Sequence, residues 1–122
     1  MKYVTKYSGD REEYDTGAVR DNGTGKGRFD LISPFALKRL AGLYERGVVK
    51  YSSRNWESGI PFSRCTDSML RHAQQWLAGD TEEDHLAAVA WNAFALMHYQ
   101  ELIKNKLLPE ELDDMPVFGG GE

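Results

Sequence analysis

The densest apolar stretch of the chain, Thr81 to Lys104, sets Ala87, Val89, Ala90, Ala93, Phe94, Leu96, Met97 and Leu102 on nearly every side of a helix. A surface helix would carry a single apolar stripe, so this pattern predicts a central buried helix. Within it His85 and Asn92 stand seven residues apart, about two turns, and project from one face, with the small Ala88 between them. Polar groups buried on such a face need partners: a neighbouring helix, a metal or a ligand.

Two shorter helical patterns precede it. Ser33 and Pro34 form an N-cap and a first-turn proline, and Ala36, Leu37, Leu40, Ala41 and Tyr44 follow at helical spacing until Gly47. A second helix is expected from about Arg64 to Ala78, closed by Gly79, with Leu70, Ala73 and Leu77 as its buried stripe and Met69 and Trp76 alongside. Residues 1–25, charged and glycine-containing with few apolar positions, read as an extended arm or loop, residues 26–113 as one helical domain, and residues 114–122 as a flexible tail. Pro109 would open a short helix before that tail. The whole is an all-α fold with an N-terminal arm.

Composition narrows the partners. A chain of 122 residues with a formal charge of −4 and 41% hydrophobic content fits one soluble domain without a broad basic field, which argues against duplex nucleic acid. The single Cys65 forms no internal disulfide, MKYVTKY lacks a signal-peptide core, and His85, Asn92, His98 and Gln100 interrupt the longest apolar run. Together these point to the cytoplasm and away from a membrane span. A helix apolar nearly all round, with two short companions, calls for a homodimer or homotetramer to cover it.

Candidate chemistry gathers in four places. Lys26 and Arg28, with Asp30 close by, flank a glycine and could meet a phosphate chain. The long connection Val48 to Ser63 holds Lys50, Tyr51, Arg54, Asn55 and Trp56: cations for phosphate, an amide able to read a base edge and aromatic faces for stacking. Tyr51 and Trp56 would serve equally as a lid on the core. On the second helix Ser68, Arg71, His72 and Gln75 share a face edged by Asp67, although Asp67 and Arg71 also suit a surface ion pair worth about 0.3–0.5 kcal/mol. Finally, Thr81 with Asp84 approximates a capping box, which accounts for Glu82 and Glu83 but leaves His85 unexplained.

The series Lys26-Gly27-Arg28-Phe29-Asp30-Leu31, Lys50-Tyr51, Asn55-Trp56-Glu57-Ser58-Gly59, Ser68-Met69-Leu70-Arg71-His72 and Asp84-His85-Leu86 with Trp91-Asn92-Ala93 resembles the small phage-encoded dATP/dGTP diphosphohydrolases, the MazZ-like relatives of MazG. The resemblance implies a MazG-like helical bundle completed by oligomerisation. It also implies Mg2+- or Mn2+-dependent release of pyrophosphate from a purine deoxynucleoside triphosphate, in the host cytoplasm. The wider MazG pattern places two glutamates on one helix and a Glu-x-x-Asp pair on the next. Here, aligned on Trp91, that second pair falls at His85 and Ala88, and Asp67, Arg71 and His72 occupy the region of the first. Asp67 and Asp84, with Glu45 or Glu83, then supply fewer oxygen donors than a four-carboxylate cluster.

Two function classes follow. As an enzyme, the chain would use Asp67, Asp84 and His85 for the metal, His72 or His85 to accept a proton from water with Asp84 beside them, and Lys26, Arg28, Asp30, Lys50, Tyr51, Asn55, Trp56, Arg71 and Asn92 to bind the nucleotide. As a binding module, it would sequester a nucleotide signal of host anti-phage defence without turnover. A structural bundle with its polar groups satisfied internally would make the cations, the aromatic loop and the His/Asn face coincidental.

Overall fold

The computed structural model describes residues 3–7 and 9–118. Two compact units divide the chain, Met1–Ile32 and Ser33–Glu122. The first holds a short antiparallel hairpin, β1 (Arg11–Glu13) and β2 (Val19–Asp21), in which Glu12 faces Arg20 and Glu13 faces Val19. The sequence pattern suggests only an arm or loop here, because the segment has no alternating apolar face. The hairpin is held by polar groups instead: the Glu12 carboxylate accepts from Gly23 N at 2.7 Å and from Tyr14 OH at 3.1 Å. A single turn of 3-10 helix, Phe29–Leu31, follows.

The second unit is three helices: α1 (Pro34–Gly47), α2 (Phe62–Leu77) and α3 (His85–Lys104). Helix α1 begins as its sequence dictates, Ser33 Oγ accepting from Ala36 N at 3.2 Å with Pro34 in the first turn. Helix α2 begins two residues earlier than expected. Its N-terminus is capped from far away, with Asp114 accepting from Ser63 N at 2.8 Å and from Ser63 Oγ at 2.6 Å. This ties the first residue of the expected tail to α2, while residues 119–122 lie outside the described residues. Helix α3 is capped by Asp84, whose Oδ1 accepts from Ala87 N at 3.2 Å, and not by Thr81. Residues 80–83 instead form a turn in which Asp80 accepts from Glu82 N at 2.8 Å.

The early start of α2 changes which side of it is buried. Leu70 and Leu77 of the expected stripe are 58% and 72% exposed, whereas Phe62 and Cys65 are buried and pack on Ala95 and Tyr99 of α3. Trp56, Ile60, Trp91, Leu96 and Leu112 surround that cluster. Gly59 holds φ +106°, a conformation that favours glycine, and a Cβ there would also stand 2.7 Å from Leu112 Cδ1. Helix α3 buries one seam, His85, Ala88, Asn92, Ala95 and Tyr99, with Ala87 beside it, and leaves Leu86, Phe94 and Met97 about half exposed. Among the described residues no helix is long and apolar enough to cross a membrane.

Candidate functional site

A groove of about 1200 Å³ lies toward the end of α2 and α3 away from the Phe62–Tyr99 cluster. Its walls come from α1 (Arg39, Leu43, Tyr44, Arg46), the following connection (Lys50, Tyr51, Asn55, Trp56), α2 (Ser68, His72, Trp76), the turn at residues 80–84 and the first half of α3 (His85, Ala88, Trp91, Asn92). Cations on α1 and its following turn therefore face a groove whose other rim carries Asp80, Glu82, Glu83 and Asp84. An anionic group would be drawn to the basic rim and kept from the acidic one.

Two histidines occupy the wall between α2 and α3. His72 Nδ1 and His85 Nδ1 lie 2.9 Å apart, so one carries the shared proton and the other accepts it. Behind them His85 Nε2, buried, stands 3.2 Å from Asp80 Oδ1, off the direction of a full hydrogen bond. Asp80 is held below the ordinary carboxylate range by the Glu82 amide first and by His85 second, so it presents a negative charge to that nitrogen. The arrangement that satisfies all three groups puts a proton on His85 Nε2, leaves His85 Nδ1 as acceptor and makes His72 Nδ1 the donor. His72 Nε2 then keeps a lone pair, the requirement for accepting a proton.

Asp84 is engaged on both oxygens. Arg39 grips it through Nε to Oδ2 at 2.9 Å and Nη2 to Oδ1 at 2.6 Å, and this guanidinium holds the carboxyl at about 2, well below the usual range. Asp67 lies elsewhere, 61% exposed on α2 and paired with Arg71 at 3.1 Å and Arg64 at 4.0 Å. Asp67 and Arg71 do not line the groove; they form the surface pair that their spacing also allows. Among the described residues no three His, Cys, Asp or Glu side chains converge as a metal site. Asp67, Asp84 and His85 thus do not combine into a cage for Mg2+ or Mn2+, ions that demand several oxygen donors around one point.

Of the other expected residues, Lys50, Tyr51, Asn55, Trp56 and Asn92 all reach the groove. Trp56 does two jobs. It meets Tyr44 and His98 edge-on at 5.9 and 4.7 Å between ring centres, and its carbonyl accepts from the buried Tyr99 OH, so it lids the core as well as lining the groove. Asn92 Nδ2 donates to Ala88 O at 2.8 Å and lies 3.4 Å from Ser68 Oγ, and these, not His85, are its partners. Lys26, Arg28 and Asp30 belong to the first unit, where Arg28 and Asp30 form a two-point ion pair at 2.7 and 2.8 Å. Arg39, Arg46 and Asp80 are groove residues that the sequence reading does not single out. A usable signal is present, because Arg39, Leu43, Arg46 and Lys50 follow at steps of four, three and four, one face of a helix.

The family model described as dATP/dGTP diphosphohydrolase, N-terminal, matches residues 16–107. The chain belongs to this family. The match runs from the hairpin to just past the end of α3, and every groove-lining residue of this dATP/dGTP diphosphohydrolase family member falls inside it. No curated protein and no solved structure matches the chain significantly.

Proposed function

We propose that the groove binds a purine deoxynucleoside triphosphate, dATP or dGTP, and hydrolyses it to the monophosphate and pyrophosphate. The observation that best supports this reading is the His72–His85 contact on the groove wall with Asp80 behind it. In the reaction His72 Nε2 takes a proton from a water as the water oxygen attacks the α-phosphorus. The bond from that phosphorus to the β-phosphate bridging oxygen breaks, and pyrophosphate leaves with the electron pair. His85, itself oriented by Asp80, keeps His72 in the tautomer that can accept. Lys50 offsets charge on the phosphates, Trp56 and Tyr51 supply apolar faces for the base, and Asn55 offers an amide to its edge. No step is assigned to a protein-held metal, because Asp84 is committed to Arg39 and Asp67 to arginines of its own helix.

The engagement of Asp84 and Asp67 by arginines favours a second reading, in which the groove captures a nucleotide signal and does not turn it over. One experiment separates the two. The pure protein is incubated with dATP, dGTP and a panel of other nucleotides, with and without manganese, and pyrophosphate release is scored against depletion of free but chemically intact nucleotide. Monophosphate and pyrophosphate in equal amounts support hydrolysis. Depleted nucleotide that is recovered whole supports sequestration, and no loss of either kind removes both readings.

The assembly we propose is a homodimer or homotetramer. Phe94 and Met97 of α3 and Leu70 and Leu77 of α2 are each about half or more exposed, although α3 is the most apolar helix of the chain. Sedimentation giving only a monomer at micromolar concentration would rule this out.

A further inference from the structure

Gly42 sits in the interior of α1, where glycine is disfavoured relative to alanine because it leaves the backbone more freedom to lose. No close packing against another helix accounts for it. Among the described residues, and apart from its two chain neighbours and the helix's own backbone, the one atom within 4 Å of the place its Cβ would take is Arg46 Nη1, at 3.3 Å. The guanidinium of Arg46, one turn further on, therefore lies back across the gap that Gly42 leaves. Among the described residues Arg46 finds no acceptor there.

Beside it is a recess of about 420 Å³ lined by Phe35, Lys38, Arg39, Gly42, Arg46 and Asp84, of which Arg39, Arg46 and Asp84 also border the main groove. The charge balance of this recess is one-sided. Arg39 takes both oxygens of Asp84 through two hydrogen bonds, Arg46 acts on that carboxylate only through space, and among the described residues neither Lys38 nor Arg46 forms an ion pair of its own. With three cations against one carboxylate the recess carries an excess of positive charge, and the planar fork of Arg46, next to a groove for a nucleotide, suits a phosphate group.

We propose that Arg46, laid across Gly42 and flanked by Lys38, binds the terminal phosphates of the nucleotide, the end that leaves as pyrophosphate, and that Gly42 exists to seat it. The inference rests on the nucleotide-binding reading above and adds to it the direction of the bound molecule. The base lies toward Trp56 and Asn55, and the phosphate chain runs along α1 past Lys50 to Arg46. Arg39 is a positioning residue in this scheme: by holding Asp84 it keeps that carboxylate from repelling the phosphates.

The seat makes a prediction that ordinary damage to a helix does not. Gly42→Ala removes a helix-weakening residue, and the atom it crowds among the described residues is the tip of a flexible side chain, so the melting temperature should hold or rise while phosphate binding falls. Calorimetric titration of the full chain with dGTP, inorganic triphosphate and deoxyguanosine tests this. Arg46→Gln should weaken dGTP and inorganic triphosphate about tenfold or more, and Gly42→Ala by roughly threefold to tenfold, the scale of removing or displacing one charge-assisted hydrogen bond. Deoxyguanosine should bind all three proteins alike. Triphosphate affinity equal to wild type in either variant overturns the proposal, as does a Gly42→Ala protein that binds weakly and also melts lower, since that loss would be one of folding. If the wild type binds no nucleotide at all, the functional reading falls first and this inference falls with it.

Discussion

The two halves of α3 offer the same seam to α2 and bury opposite chemistry along it. Ala95 and Tyr99 meet Phe62 and Cys65 in an apolar cluster, whereas His85 meets His72 and Asn92 approaches Ser68 on the wall of the groove. Spacing does not distinguish the halves, since 85, 88, 92, 95 and 99 alternate by three and four throughout. What differs is cover. The far half is roofed by Trp56, Ile60 and Leu112, and the near half opens into a space of about 1200 Å³. A buried imidazole and a buried amide on a core seam are costly unless paired, and here they are paired chiefly with groups that also face the groove. The difference reads as a division of labour, stability at one end and chemistry at the other.

The largest effect expected from breaking the comparison is at the sealed end. Tyr99 is fully buried, so Tyr99→Ala should cost about 3–5 kcal/mol of unfolding free energy, the range for losing a large buried aromatic. Denaturant titration measures it; a loss under about 1 kcal/mol would mean that the cluster around Phe62 is not the core. The open end should respond in activity. His72→Ala is expected to lower pyrophosphate release by roughly 10²–10⁴-fold with little change in nucleotide affinity, the signature of a missing proton acceptor. A variant that loses affinity and turnover in equal measure would make His72 a binding residue only.

A smaller change reverses the sign. Asn92 is 4% exposed, with its amide spent on Ala88 O and a long approach to Ser68. Asn92→Leu should leave stability unchanged or raise it by up to about 1 kcal/mol, because an apolar residue on a buried seam has no polar group to satisfy, while nucleotide affinity falls. Destabilisation by more than about 1 kcal/mol would place Asn92 among structural residues and shift the boundary between the halves toward the N-terminus of α3.

Much of this division is legible in the sequence where the signals are local. Ser33 with Pro34, Gly79 and the apolar run of α3 each act within a turn of themselves, and each marks its element. The start of α2 is not, because the group that caps it, Asp114, lies 51 residues from Ser63 in the chain, and the burial of Phe62 and Cys65 goes with it. The start of α3 is ambiguous for a related reason. Thr81 and Asp84 are both good caps by type, and Arg39, 45 residues away, is what holds Asp84 in place. His72 and His85 can each be singled out from sequence, but their 2.9 Å approach depends on the antiparallel pairing of α2 and α3. Arg46 is invisible as a site residue for another reason: a cation near a helix C-terminus is expected there on dipole grounds alone.

The finest test uses pH to address the two ends of α3 separately. Asp84, at the groove end, has a folded pKa of about 2 against an ordinary 3.8, so its ionised form is favoured by folding. Its stabilisation is complete above about pH 4 and is lost as pH falls from there toward 2. Tyr99, at the sealed end, is pushed by burial up to about 12 from 10.0, so folding favours its neutral form. That stabilisation is present below about pH 10 and is lost as pH rises toward 12. Melting temperature plotted against pH should therefore fall at both limits, and each limb should answer to its own residue. Asp84→Asn is expected to shallow the acid limb and spare the alkaline one, with Asp80, Asp114, Asp30 and Glu12, whose carboxyls are also held low, supplying what acid slope remains. Tyr99→Phe should do the reverse, leaving the smaller alkaline contributions of Tyr44 and Cys65, both raised by burial. If either substitution flattened both limbs equally, the ends of α3 would be one cooperative site and the distinction between them would fail.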